Sequence, residues 1–357
     1  MNKISLCMIV KNEEDVLERC LTSVRDIIDE IIIVDTGSTD RTKEVATTFS
    51  AKIYEFAWCD DFSAARNYAF SKATKDFILW LDADDVIEEL ERVKLLELKK
   101  ELSNKIDVVM LKYNVGFDKN GEVNFSFYRE RILRRAKQFK WVDPIHEYIE
   151  TSGNVIIKDI AVTHRKIHAN TGRNLRIYEG YIEAKKELSP RSLYYYGKEL
   201  YENKRYCDAV IQFNKYLLKN EGWVEDKISA CFFLSICYEL LGDKDNMQNV
   251  LFKSFNYDVP RAEICCRIGN YFEEKSCYYQ AIFWYELATK LKKPDDFIGF
   301  LLHDYNGYYP HIQMCVCYDR LGRYEDAKKH NELAGKYKPN DQAVAYNKEY
   351  FEDMKVM

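Results

Sequence analysis

Two rhythms of apolar and polar positions divide the chain. In the first 170 residues, short apolar runs recur at 4–10, 31–34 and 77–81, and 52–56 reads as a further strand. Runs of this length suit strands buried on both faces. Between them, Val16, Leu17, Cys20, Leu21 and Val24 fall at helical spacing, and 41–49 and 62–73 repeat that pattern. Regular alternation of this kind predicts an α/β domain with an open, mostly parallel sheet and helices on both faces. From Lys105 the pattern changes. Segments 108–113 and 125–131 flank Asp118-Lys119-Asn120-Gly121, a hairpin signal, and 156–163 is a further strand. These predict antiparallel strands completing the same sheet.

The second rhythm begins at Leu193. Apolar positions are three and four apart, and four segments superimpose. They are Tyr196-Gly197 with Leu200, Tyr206, Ala209 and Phe213; Leu234-Ser235 with Tyr238, Gly242 and Leu251; Ile268-Gly269 with Phe272, Tyr278, Ala281, Tyr285, Ala288 and Pro294; and Met314-Cys315 with Tyr318, Gly322, Tyr324, Ala327, Ala334 and Pro339. Ser235 and Gly269 are 34 residues apart, Gly197 and Ser235 are 38, and Gly269 and Cys315 are 46. This periodicity resembles tetratricopeptide repeats, with an insertion after the third copy and Met247 in place of a small residue in the second. Stacked helix pairs offer a concave surface for an extended peptide, and dimerisation is the alternative use of the same helices. The expected organisation is a first domain over 1–170, a connecting helix within 171–192 stopped at Ser189-Pro190, and a helical-repeat domain over 193–357.

Candidate chemistry collects at the ends of the first-domain strands, the rim where open α/β sheets bind ligands. The strand at 77–81 runs into Asp82-Ala83-Asp84-Asp85, and the strand at 31–34 into Asp35-Thr36-Gly37-Ser38-Thr39-Asp40. On an extended backbone, Asp82 and Asp84 point to one side and offer oxygen ligands to Mg2+ or Mn2+. The formal net charge of -5 gives no global attraction to nucleic acid or to anionic membrane. No apolar stretch is long enough to span a bilayer. Eleven cysteines without regular spacing read as reduced thiols of a cytoplasmic protein.

The stretches Ser5 to Glu13, Ile33 to Asp40, Ala65-Arg66-Asn67 and Leu81-Asp82-Ala83-Asp84 resemble, in that order, the family 2 glycosyltransferases of GT-A fold. The segment 139–147, ending Trp141-Val142-Asp143-Pro144-Ile145-His146-Glu147, is similar to one branch with helical repeats after the catalytic domain, which includes bacterial enzymes that glycosylate peptides and proteins. Pro144-Ile145 departs from that branch's pattern, and the Gln-x-x-Arg-Trp motif of processive synthases is absent.

The resemblance implies an inverting, metal-dependent hexosyl- or N-acetylhexosaminyltransferase using a UDP-sugar. Asp35 would contact base or ribose, Arg66 the base or diphosphate, Asp82 the ribose and metal, and Asp84 the metal directly. Val10, Asn12, Glu13 and Ala83 lie in the matched stretches and would border the nucleotide sugar. His164 is similar in place to a histidine near metal or diphosphate, and His168 competes with it. An inverting transfer also needs a base opposite the leaving group. Glu147, in an aromatic and apolar setting, is the first candidate, with His146 orienting it or approaching the diphosphate; Asp143 is the alternative. The acceptor would be a protein or peptide held by the repeats, a cell-envelope glycan or a lipid-linked molecule; an inactive scaffold is the reading from another class.

Overall fold

The computed structural model describes residues 2–167, 172–291 and 297–354. Two compact units emerge, residues 1–192 with 298–300, and residues 193–297 with 301–357.

In the first unit, β1 (Ile4–Val10), β2 (Glu30–Asp35), β3 (Lys52–Glu55) and β4 (Phe77–Trp80) are parallel, in the spatial order β3-β2-β1-β4. The helices between them are α1 (Leu17–Val24), α2 (Thr42–Thr48) and α3 (Phe62–Lys72). Strands β1, β2 and β4 are buried on both faces, which is why they lack polar alternation, whereas the edge strand β3 is partly exposed. Leu6, Met8 and Leu79 pack with Leu17, Leu21 and Val24 of α1 on one face. Cys7, Ile32, Val34 and Ile78 meet Ala69 and Ala73 at the end of α3 on the other.

After β4 come the two-residue strand β5 (Asp85–Val86) and α4 (Glu89–Glu101). The apolar pattern of 89–101 is too sparse to stand out, because the helix buries little beyond Leu95, Leu98 and the stem of Lys99. The sheet then extends through β6 (Val108–Phe117), β7 (Val123–Arg134) and β10 (Val155–His164), in the order β4-β7-β6-β10-β5. Strand β7 is antiparallel to β4 and to β6, as the hairpin signal predicts. Strand β10 departs from the antiparallel expectation and runs parallel to β6. The intervening segment makes this possible by returning the chain through a separate hairpin, β8 (Trp141–Val142) with β9 (Tyr148–Ile149). Phe300 adds its ring to those of Phe125 and Phe127. Helix α5 (Arg173–Glu183) starts at Gly172, whose φ is +67°.

The second unit consists of helical hairpins. They are α6 (Pro190–Glu202) with α7 (Tyr206–Leu217), α8 (Val224–Leu240) with α9 (Lys244–Lys253), α10 (Ala262–Glu274) with α11 (Tyr278–Lys290), and α12 (Tyr308–Arg320) with α13 (Tyr324–Tyr337), followed by α14 (Gln342–Asp353). The small residue of each repeat stands where the paired helices come closest. A Cβ on Gly197 would lie 2.7 Å from the Phe213 ring, and one on Gly269 2.5 Å from Tyr285. Each hairpin turn holds one left-handed residue, Lys204, Gly242, Ser276 or Gly322. The next amide bonds back five residues, as Arg205 to Leu200, Asp243 to Tyr238, Cys277 to Phe272 and Arg323 to Tyr318. This is the Schellman closure of a helix end. The insertion between α11 and α12 contains residues 298–300 of the first unit, and Pro294 of the third repeat falls outside the described residues. No helix among the described residues is long and apolar enough to cross a membrane.

Candidate active site

A cleft of about 450 Å³ opens at the sheet rim where β1, β2 and β4 end. Val10, Lys11, Glu13 and Thr36 border it from the first two strands, and Asp82, Ala83 and Asp84 from the segment after β4. Arg66 enters from α3, His146 and Glu147 from the β8–β9 hairpin, and His164 from the end of β10. Asp82 to Asp85 is a turn, closed by the Asp85 amide on the Asp82 carbonyl at 3.1 Å. The extended spacing expected for Asp82 and Asp84 is therefore absent. Both still border the cleft, but Asp82 turns to Arg66 and Asp84 to His164.

Arg66 is the most tightly held of the predicted residues. Its Nε donates to Glu147 Oε1 at 2.5 Å and its Nη2 to Asp82 Oδ1 at 2.6 Å. The guanidinium lies 5.1 Å from the Trp80 ring and 4.8 Å from that of Trp141. A planar cation between two indoles gains from both ring faces while its edge serves carboxylates. The guanidinium thus bridges two acids at the cleft wall. Burial opposes charge on Asp82, but Arg66 and then Arg131 outweigh it and hold the carboxyl at about 2. Beside Arg66, Asn67 Nδ2 donates to the Trp141 carbonyl and its Oδ1 accepts from the Trp141 amide, fixing the hairpin that carries Glu147.

At the other end of the cleft, Asp84, Asp85 and His164 bring ligand-type atoms within 4.8 Å of one another. His164 Nδ1 is 3.3 Å from Asp84 and 3.5 Å from Asp85. Burial would lower its pKa, yet the bonds to these two acids raise it to about 10. Glu13 shows the same excess of negative charge. Burial, then Asp84 and Asp82, push its carboxyl up to about 7. A divalent cation fits here, because it would replace the proton on His164 and offset the crowded carboxylates. Asp85 is less suited as a ligand. Its oxygens accept from Tyr113 Oη at 2.8 Å, Arg131 Nη1 at 2.9 Å and the Asp82 amide at 3.0 Å.

Other predicted residues lie further back. Asp35 is buried; Oδ1 accepts from the Gly37 and Ser38 amides, and Oδ2 has no protein partner. Asn12, at φ +55°, uses its Oδ1 on the Thr39 amide and so ties the β1 loop to the β2 loop. Asp143 bonds to Ser189 at 2.8 Å and does not border the cleft. The arginine beside Glu147 is Arg66; Arg134 pairs with Asp107. His168 lies outside the described residues.

Sequence reading misses Trp58, Phe62, Trp80 and Arg129, which also border the cleft, as do Lys166, Arg173 and Arg176. Arg129 and Arg131 lie two apart in β7, where the register with β6 shifts, and both guanidiniums reach the Trp80 ring. Their rings of contact were not legible. Trp80 has Arg66, Arg129 and Arg131 at 5.1, 5.0 and 3.8 Å from its centroid.

Residues 5–158 match the family model described as Glycosyl transferase family 2. Over 155 residues, the chain is 43% identical to a TPR repeat-containing protein of Synechococcus elongatus, covering 43% of this chain and 36% of that protein. It is 29% identical over 213 residues to the SPbeta prophage-derived glycosyltransferase SunS of Bacillus subtilis, covering 56% and 49%. The chain thus spans half or less of the length of these curated relatives. Among solved structures, S. aureus TarS 1–349 is 14% identical with a TM-score of 0.36, covering 70% of this chain and 90% of that one. The similarity to glycosyl transferase family 2 is thus carried by residues 5–158, all within the first unit.

Proposed function

We propose that the chain transfers a sugar from a UDP-sugar to a protein or peptide side chain, with inversion and with a divalent metal ion. The observation that carries this reading is a juxtaposition. Asp84 and His164, suited to a cation, and Glu147, suited to accept a proton, border one cleft in a family 2 glycosyltransferase domain. The buried, unpartnered Oδ2 of Asp35 supports a nucleobase, whose N–H would satisfy it.

In the proposed reaction, the acceptor heteroatom bonds to the anomeric carbon while that carbon's bond to the diphosphate oxygen breaks. The acceptor's proton passes to the Glu147 carboxylate, which Arg66 holds in place. Asp84 and His164 would hold a divalent ion, which would supply positive charge to offset that of the departing diphosphate. Lys11 and Lys166 border the cleft and add to that charge. The helical hairpins favour an extended polypeptide as acceptor, because stacked pairs present a long continuous surface.

A thermal-shift panel of nucleotide-sugars with and without Mn2+ tests the donor. Ligand at about 100 times its dissociation constant adds about 2.7 kcal/mol to stability. UDP-sugars should raise the melting point in a Mn2+-dependent manner, and Asp84→Ala should abolish Mn2+-dependent hydrolysis of the active donor. Intact-mass increments on candidate proteins would identify the acceptor. A panel in which no nucleotide shifts the melting point sinks the proposal.

A further inference from the structure

The chain leaving β4 does something unusual at the rim. It runs to the far edge of the sheet, where β5 pairs antiparallel with the end of β10 and sets Asp85 opposite His164. In spatial order it passes β7 and β6 on the way. Each of these strands sends up one side chain to Asp85. Arg131 comes from β7, Tyr113 from β6 and His164 from β10.

The resulting knot is dry. Asp85 and Arg131 are each 0% exposed, and Tyr113 is 7% exposed. Arg131 Nη1 also donates to the Trp80 carbonyl at 3.1 Å, the last residue of β4. Its Nε and Nη2 have no hydrogen-bond acceptor. The guanidinium instead lies 3.8 Å from the Trp80 ring centroid and 4.3 Å from that of Tyr113. Tyr113 Oη bonds to Asp85 and also meets His164 Nδ1 at 3.0 Å. Asp85 thus connects the turn carrying Asp84 to the strand end carrying His164, and the Arg165 amide closes the same join by bonding the Asp84 carbonyl at 2.9 Å.

We infer that Asp85 is a positioning residue. Through Arg131, Tyr113 and the Asp82 amide, it holds Asp84 and His164, from separate strands, at the separation that suits one divalent cation. This rests on the proposed metal dependence of the site. Asp84 lies in a turn and His164 is the last residue of its strand, so neither proposed ligand sits within the body of a regular element. Ligands held by outer groups bind metal more tightly than ligands free to reorient, typically by 10- to 100-fold.

The test measures Mn2+ affinity of the full chain by the free-ion paramagnetic resonance signal, alongside the melting point. Asp85→Asn should weaken Mn2+ binding at least about tenfold. That variant strands Arg131 in the interior and threatens the fold. The double variant Asp85→Asn with Arg131→Met removes both charges, a change that buried pairs often tolerate, and should show the same loss. Tyr113→Phe keeps the pair, removes one bond each to Asp85 and His164, and should give a smaller loss. A purely structural role predicts lower melting points with Mn2+ affinity unchanged, and that result overturns the inference. So does unaltered affinity in Tyr113→Phe should both other variants fail to fold. A wild-type chain that binds UDP but no Mn2+ overturns the metal reading first, and the inference with it.

Discussion

The two units of this chain solve the problem of placing side chains in opposite ways. In the first, partners come from remote positions: Arg66 with Glu147, Arg131 with Asp85, Tyr113 with His164. Sheet order alone brings them together. In the second, Gly197 meets Phe213 and Gly269 meets Tyr285, each sixteen residues on, and the turns follow the same steps. A repeat carries its geometry within itself, whereas the cleft exists only once the whole sheet has formed. Damage should therefore spread in the first unit and stay local in the second.

The largest effect is expected from Arg66→Ala. It leaves Asp82 and Glu147 without their shared cation and opens a gap between Trp80 and Trp141. Breaking a buried pair from one side costs about 3–5 kcal/mol, and urea unfolding should register a loss of that order together with loss of the proposed transferase activity.

Acid should separate the two units next. Burial, then the neighbouring His330, lower His311 from 6.5 to about 4, and burial lowers His330 as well. The unfolded chain takes up these protons first, so the helical unit loses stability as pH falls from 6.5 towards 4. Burial opposes charge on Glu30, but bonds from Lys52, Ser5 and Thr74 prevail and hold it at about 2 against an ordinary 4.5. Its contribution is intact above pH 4.5 and fades only towards pH 2. Circular dichroism followed through an acid titration should show the helical unit yielding first. Glu30→Gln should flatten the later loss and leave the earlier one.

Gly269→Ala comes third. Its methyl would press on a Tyr285 ring whose hydroxyl is tied to Asn270 and Glu273, so the ring cannot easily retreat. Overpacking of this kind costs about 1–3 kcal/mol, and affinity for the proposed UDP-sugar should stay at the wild-type value. The smallest effect is a gain. Ser276 adopts φ +57° in a turn where the second and fourth hairpins have glycine. Ser276→Gly relieves left-handed strain of about 1 kcal/mol, less the extra freedom given to the unfolded chain, and should raise the melting point slightly.

What could be read from the sequence follows the same division. The strands at 4–10 and 77–81, and the steps of 38, 34 and 46 residues, are local signals and match the structure. Asp82, Asp84, His146, Glu147 and His164 could be named from their motifs, and all border one cleft. Their pairings could not be named. That Glu147 would face Arg66, or that Asp143 would turn to Ser189, depends on a hairpin fastened by Asn67 across more than seventy residues. Lys204 and Ser276 were equally hidden, because only the conformation of the turn marks them as counterparts of Gly242 and Gly322.

The placement of indoles has a practical consequence. Three of the chain's five tryptophans gather in one neighbourhood, Trp58 and Trp80 at the cleft wall and Trp141 packed on Trp80 with centroids 4.7 Å apart. Their intrinsic fluorescence is a built-in optical probe of whatever enters, and it needs no label. Emission from Trp223 and Trp284, in the helical unit, supplies the background against which that signal would be read.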